Sequence, residues 1–191
     1  MSRYYYFAAT LPALQLGMPA PMTSAEFLER CTAHLPPARL AAVAAATISS
    51  PATTVPPGAG GSTLLVRYYA WEWSLRNELV RLRARRLERA PETWVRPVSR
   101  DDIGNRVAQS VFQAASPLEA ELLLERERWA AIESLKALHY YDLECLVAYR
   151  LQLEILVRLA RLREEAGEAR YRETYAAILA AAPETSPGVV Q

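Results

Sequence analysis

The sequence predicts an all-α protein, a single helical bundle built on two or three long helices. Composition is the first reason: of 191 residues 51% are hydrophobic, with Ala and Leu dominant and only 7 glycines. Ala, Leu, Arg and Glu are strong helix formers. The second reason is periodicity. Apolar residues recur every three or four positions over stretches too long for strands. Helix-start signals supply the third, because they stand directly before those periodic stretches. A chain of this length buries a sizeable core, so one domain is expected over residues 1–182, followed by a frayed tail at 183–191.

Taken in order, Arg3 to Leu16 opens with Tyr4, Tyr5, Tyr6 and Phe7. The Ala8–Ala9 pair and the later leucines favour a helix there, weakened by Pro12 and ended by Gly17. Thr23-Ser24-Ala25-Glu26 has the form of a capping box and predicts a helix whose inner face is Phe27, Leu28, Cys31 and Leu35. Pro36 and Pro37 close it, and Pro37 opens a short helix over about Ala38 to Ala46. Ser49 to Ser62 is rich in Pro, Gly, Ser and Thr and reads as a mobile loop. Its GAGGST segment lacks the lysine of a phosphate loop and follows no strand.

Thr63 to Arg89 is the first long helix, with Leu64, Tyr68, Trp71, Leu75, Leu79 and Leu82 in one stripe. Pro91 to Ser99 is a linker in which Trp94 is expected to plug the core. Ser99 and Asp102 can cap a helix carrying Ile103, Val107 and Val111. Ser116-Pro117-Leu118-Glu119 is a stronger start, and its helix, to about Leu138, should bury Leu118, Leu122, Trp129, Ile132 and Leu135 while its Glu/Arg-rich remainder faces water. Tyr140 to Gly167 is the stretch around which the chain is organised, with a break near His139–Asp142 and Gly167 as its stop. It carries two apolar stripes: Leu146, Leu153, Val157 and Ala160, widened by Tyr149 and Leu156, and Leu151, Ile155, Leu159 and Leu162. A helix apolar on two sides lies between other elements. A last helix, about Glu168 to Ala182, should fold back through Tyr171, Tyr175 and Ile178.

Chemistry is sparse. Formal net charge is +1, so no global field selects nucleic acid or an anionic membrane. Cys31 and Cys145 fit no metal spacing or disulfide framework, and the longest purely apolar run, Leu40 to Ala46, is too short for a membrane span. The first twenty residues outline a signal peptide, but Pro12 breaks the run, so none is expected. His139, Asp142, Glu144 and Cys145 lie close together, yet too few of them share a face to ligate a metal. His34 stands alone, and no Gly-x-Ser-x-Gly elbow occurs. No cofactor, metal or catalytic group is therefore expected, and the chain reads as a non-enzyme. The candidate partner-binding residues are two charged ridges: Arg81, Arg85 and Arg89 at i, i+4 spacing, which read first as a solvated face partly balanced by Glu78 and Glu88 and second as a contact for an anionic partner, and Arg150, Glu154 and Arg158 between the two apolar stripes, a seam expected to stay wet.

Two stretches together resemble a known family. RYYYFAATLPALQLG with PMTSAEFLERC resembles the start of a small family encoded in bacterial V/A-type ATPase operons, and DLECLVAYRLQLEILVRLARLREEAG is similar to that family's C-terminal helix. SLRNELVRLRARR matches more weakly through Asn77. The family is distantly similar to the rotor-ring cap of V/A-type ATPases, the helical subunit between membrane rotor ring and central stalk. Leu11-Pro12 stands where the rotor-ring cap tends to have basic residues. The resemblance implies a fold like that of the cap, and a non-catalytic subunit or accessory factor in ion transport. It implies V/A-type ATPase subunits of the ring or stalk as partners, and a place at the cytoplasmic face of the membrane reached only through them. The other reading is a free-standing helical adaptor that homodimerises across one stripe of the long helix.

Overall fold

A computed structural model describes residues 4–48, 58–97, 102–162 and 171–178, and the described residues are all-α, with no strand. The elements are α1 (Tyr4–Thr10), α2 (Ser24–Thr32), α3 (Pro37–Ala44), a 3-10 turn (Ala59–Gly61), α4 (Thr63–Arg86), α5 (Asp102–Phe112), α6 (Pro117–Lys136) and α7 (Leu143–Arg161). Residues 171–178 form a further helix, α8. Most of the 49–62 loop, the Ser99 cap, Gly167 and the 183–191 tail lie outside the described residues, but α7 already ends at Arg161, short of the expected stop.

Local chemistry starts the helices as expected. At α2 the Thr23 hydroxyl accepts the Glu26 N–H at 3.2 Å, and the Glu26 carboxylate accepts the Thr23 N–H at 2.6 Å. Ser116 accepts the Glu119 N–H at 3.1 Å at the head of α6. Asp142 accepts the Cys145 N–H at 3.0 Å and starts α7, so the predicted break at His139–Asp142 is real. Each such cap satisfies backbone donors that a helix leaves unpaired.

The long helix α7 is the centre of the bundle. It packs against α1, α2, α3, α4 and α6. Leu146, Leu151, Leu153 and Ile155, taken from both stripes, are fully buried. The main core joins them to Phe7, Phe27, Cys31, Val43, Leu64, Leu65, Tyr68, Tyr69 and Ile132. A second cluster, Leu75, Leu79, Val107, Ala108, Val111 and Leu124, packs α5 between α4 and α6. Helix α4 thus serves both cores, its first half one and its second half the other.

Several expectations are corrected. Trp94 is exposed and plugs nothing. Leu118 and Leu122 are exposed, while Glu125 and Arg128, expected to face water, are buried. Helix α6 turns this charged face inward because Glu72 of α4 lies opposite, within hydrogen-bond reach of Arg128. Tyr171, Tyr175 and Ile178 are exposed, so α8 does not cover α7. Helix α4 stops at Arg86 rather than Arg89.

Candidate functional site

Sequence spacing places Glu72 on the inner face of α4 between Tyr68 and Leu75, and Glu125 and Arg128 one turn apart on α6. Packing brings them together. Arg128 donates from Nε to Glu72 Oε2 at 3.1 Å, from Nη2 to Glu72 Oε1 at 2.9 Å and from Nη1 to Glu125 Oε1 at 2.7 Å. Arg76 donates to Glu72 at 2.8 Å. From α7, Arg158 Nη2 reaches Glu121 at 2.7 Å and Nε lies 2.9 Å from Glu125 as an ion pair. Burial pushes the Glu72 carboxyl up, but the Arg128 hydrogen bonds and charge, with Arg76, overcome it and hold the group below its usual range. At Glu125 burial wins over Arg128 and Arg158, and its carboxyl is raised. Burial opposes charging Arg128, and the two carboxylates reverse that and keep it charged. A network of this kind is structural when every charge has a partner, and it defines how α4, α6 and α7 align.

A second long-range contact occupies the glycine-rich segment ahead of α4. The N-terminus of a helix presents free N–H groups and a positive dipole end. Here the anion is supplied internally: Glu144 of α7 accepts the Thr63 N–H at 2.9 Å, the Thr63 hydroxyl at 3.0 Å and the Leu64 N–H at 3.2 Å. It also accepts the Ser62 hydroxyl, which itself caps the Leu65 N–H at 3.1 Å. The GAGGST segment is thus a carboxylate clamp between α4 and α7.

Two surface features remain. One is a cleft of about 370 Å³ between α4, the 91–97 segment, α6 and α7, lined by five arginines: Arg76, Arg83, Arg96, Arg128 and Arg158. Asn77 also lines it. The Asn77 amide donates to the Arg96 carbonyl at 2.9 Å and accepts the Arg96 N–H at 2.9 Å, which pins that segment to α4. The other is an exposed aromatic patch. Tyr5 and Tyr6 of α1 are exposed, and the Tyr5 ring lies 4.4 Å from that of Tyr141, just before α7. Tyr140 and Leu138 of the α6–α7 turn are exposed as well.

The charged residues read from the sequence do not form one surface. Arg81 pairs with Glu78 and lines a groove against the 91–97 segment. Arg85 and Arg89 are exposed. Arg150 is buried and pairs with Glu154 at 2.8 Å, while Glu154 also accepts the Ile48 N–H at 3.3 Å. Arg158 turns away to Glu121 and Glu125. The seam is therefore closed at Arg150, which is buried, and still reaches solvent at Arg158, which is 40% exposed, with every member of it ion-paired. Sequence reasoning missed Glu72, Glu125, Arg128 and Arg96. The i, i+3 pair Glu125–Arg128 was the one visible signal. Among the described residues no group of three or more His, Cys, Asp and Glu is placed to hold a metal ion, and no helix is long and apolar enough to cross a membrane. The His139 ring and Asp142 are 2.5 Å apart, but Cys145 joins them only through its backbone. Burial pushes the Cys31 thiol up to about 12, slightly offset by Arg150. Comparison of the chain with protein-family models, with curated proteins and with solved structures returns no match.

Proposed function

We propose that this chain is a non-catalytic helical subunit or accessory factor of a bacterial V/A-type ATPase, acting as a rigid body between the membrane rotor ring and the central stalk in place of the usual rotor-ring cap. One observation supports the reading above the others. The two stretches that carry the resemblance, distant in sequence, pack as one unit: Phe7 of α1 shares a core with α7, Phe27 lies 5.0 Å from Tyr149, and Tyr5 lies against Tyr141. Their outer side is the exposed tyrosine patch. Tyrosine supplies large contact area with a polar tip and is enriched where proteins bind one another.

The mechanism is mechanical. Buried ion pairs and the Glu144 clamp hold α4, α6 and α7 at fixed angles, as a force-transmitting body requires. The ATPase would dock on the tyrosine patch, and membrane association would follow from that partner alone. Purifying the ATPase from cells carrying a tagged copy of this chain tests the reading. Co-purification that is lost in a Tyr5→Ser, Tyr6→Ser, Tyr141→Ser variant is the expected result. A complete, active ATPase that neither contains the chain nor needs it for assembly overturns the reading, and a stable homodimer held by the same patch would favour the free-standing adaptor instead.

A further inference from the structure

We propose that the arginine-lined cleft beside α4 is a binding site for a small oxyanion of the phosphate or carboxylate class, held by Arg83, Arg96 and the free edge of Arg76. Of the five guanidinium groups on the cleft, Arg128 is consumed by Glu72 and Glu125, and Arg158 by Glu121 and Glu125. Arg76 gives only its Nε to Glu72, so its terminal N–H groups remain. Arg83 and Arg96 have no carboxylate partner among the described residues. Five cations against the carboxylates of Glu72, Glu121 and Glu125 leave a surplus of two positive charges at one concavity.

Arg96 is the sharpest indication. Its Nη1 is buried and finds no protein acceptor. A buried charged donor without a partner is costly, more so than a neutral one. Yet its position is enforced. Both backbone polar groups of Arg96 are held by Asn77, and its guanidinium lies 5.9 Å over the Trp73 ring. A planar donor fixed at its backbone and stacked on an aromatic face is preorganised for bidentate recognition of an oxyanion. The Glu121 carboxylate also lines the cleft, but Arg158 engages it at 2.7 Å, so it does not neutralise Arg83 and Arg96. The volume of about 370 Å³ suits a small ligand. The site is independent of any docking to an ATPase.

Isothermal titration of the full chain at low salt tests the proposal, with inorganic phosphate, pyrophosphate and citrate as probes. Saturable one-site binding of at least one is expected, and the order of pyrophosphate and citrate distinguishes the phosphate from the carboxylate source. Arg96→Gln and Arg83→Gln should each weaken binding about tenfold or more. Arg83 is exposed, so its variant keeps the fold, and circular dichroism checks both. Arg39→Gln, an exposed change on α3, should leave binding unchanged. No saturable heat with any of the three at millimolar concentration overturns the proposal. So does binding that the Arg83 and Arg96 variants leave intact, since the anion would then sit elsewhere.

Discussion

Replacing Arg128 by Met should be among the most damaging single changes in this chain. Met keeps the bulk of the side chain and removes the charge. Glu72 and Glu125 are both fully buried, at 0% exposure, and Arg128 supplies three of the hydrogen bonds they accept. Their remaining cations, Arg76 and Arg158, are 38% and 40% exposed and reach only part of each carboxylate. Removing one partner of a buried ion set costs about 3–5 kcal/mol, because the stranded charge has lost both water and its counter-ion. For a chain of this length that corresponds to a fall in Tm of roughly 6–20 °C. The loss should depend on pH. In the parent protein Glu72 is held low, so its contribution is present above the unfolded carboxyl value and is lost as pH falls through the folded one. In Arg128→Met, burial acts without its main opponent and both folded carboxyls lie above their unfolded values. The native state then binds protons that the unfolded state releases, and the variant gains stability as pH falls. The difference between the two proteins should therefore narrow from neutral pH down through the carboxylate range. Urea denaturation followed by circular dichroism at several pH values measures it. Adding Glu72→Gln to the variant should return part of the loss, since one stranded charge is removed. A loss under about 1 kcal/mol, or one that does not change with pH, would refute a buried, mutually dependent ion set.

Three further outcomes follow from the same geometry. Glu144→Ala frees four donors at the start of α4 and should cost about 1–3 kcal/mol, with amide exchange accelerated first at Thr63 and Leu64. Leu138 sits at φ +79 after Ala137 at φ −50, ψ 126, with the His139 N–H donating to the Lys136 carbonyl at 2.8 Å, a turn that favours glycine; Leu138→Gly should raise stability by about 0.5–1 kcal/mol in chemical denaturation, unlike a Gly placed within α6. Cys31 is fully buried and its thiol is raised to about 12, so native protein at pH 8 should leave it unalkylated by iodoacetamide while unfolded protein reacts, as peptide mass analysis would read out.

Local rules carried far in this chain. The capping box at Thr23 and Glu26, the Ser116-Pro117-Glu119 start and the Asp142 cap act within three or four residues, so their spacing alone determines where α2, α6 and α7 begin. The apolar period of α4 and α7 likewise marked Leu64, Tyr68, Leu75, Leu146, Leu151 and Ile155 as interior. What the period could not determine is the fate of a charge on a helix. Arg158 and Arg150 are both arginines next to apolar stripes, yet one reaches α6 and the other is buried beside Glu154. Glu72 meets Arg128 across 56 residues, and Glu144 meets Ser62 across 82. Whether such a charge is solvated, paired or left facing a cleft depends on which helix is packed opposite and at what height. That is a property of the bundle as a whole. The sequence by itself determined the helices, most of their starts and the central position of α7. Only the tertiary structure decided that α6 turns Glu125 and Arg128 inward, that α8 leaves its tyrosines exposed, and that five arginines share one cleft, because desolvation and ion pairing are settled between elements rather than within them.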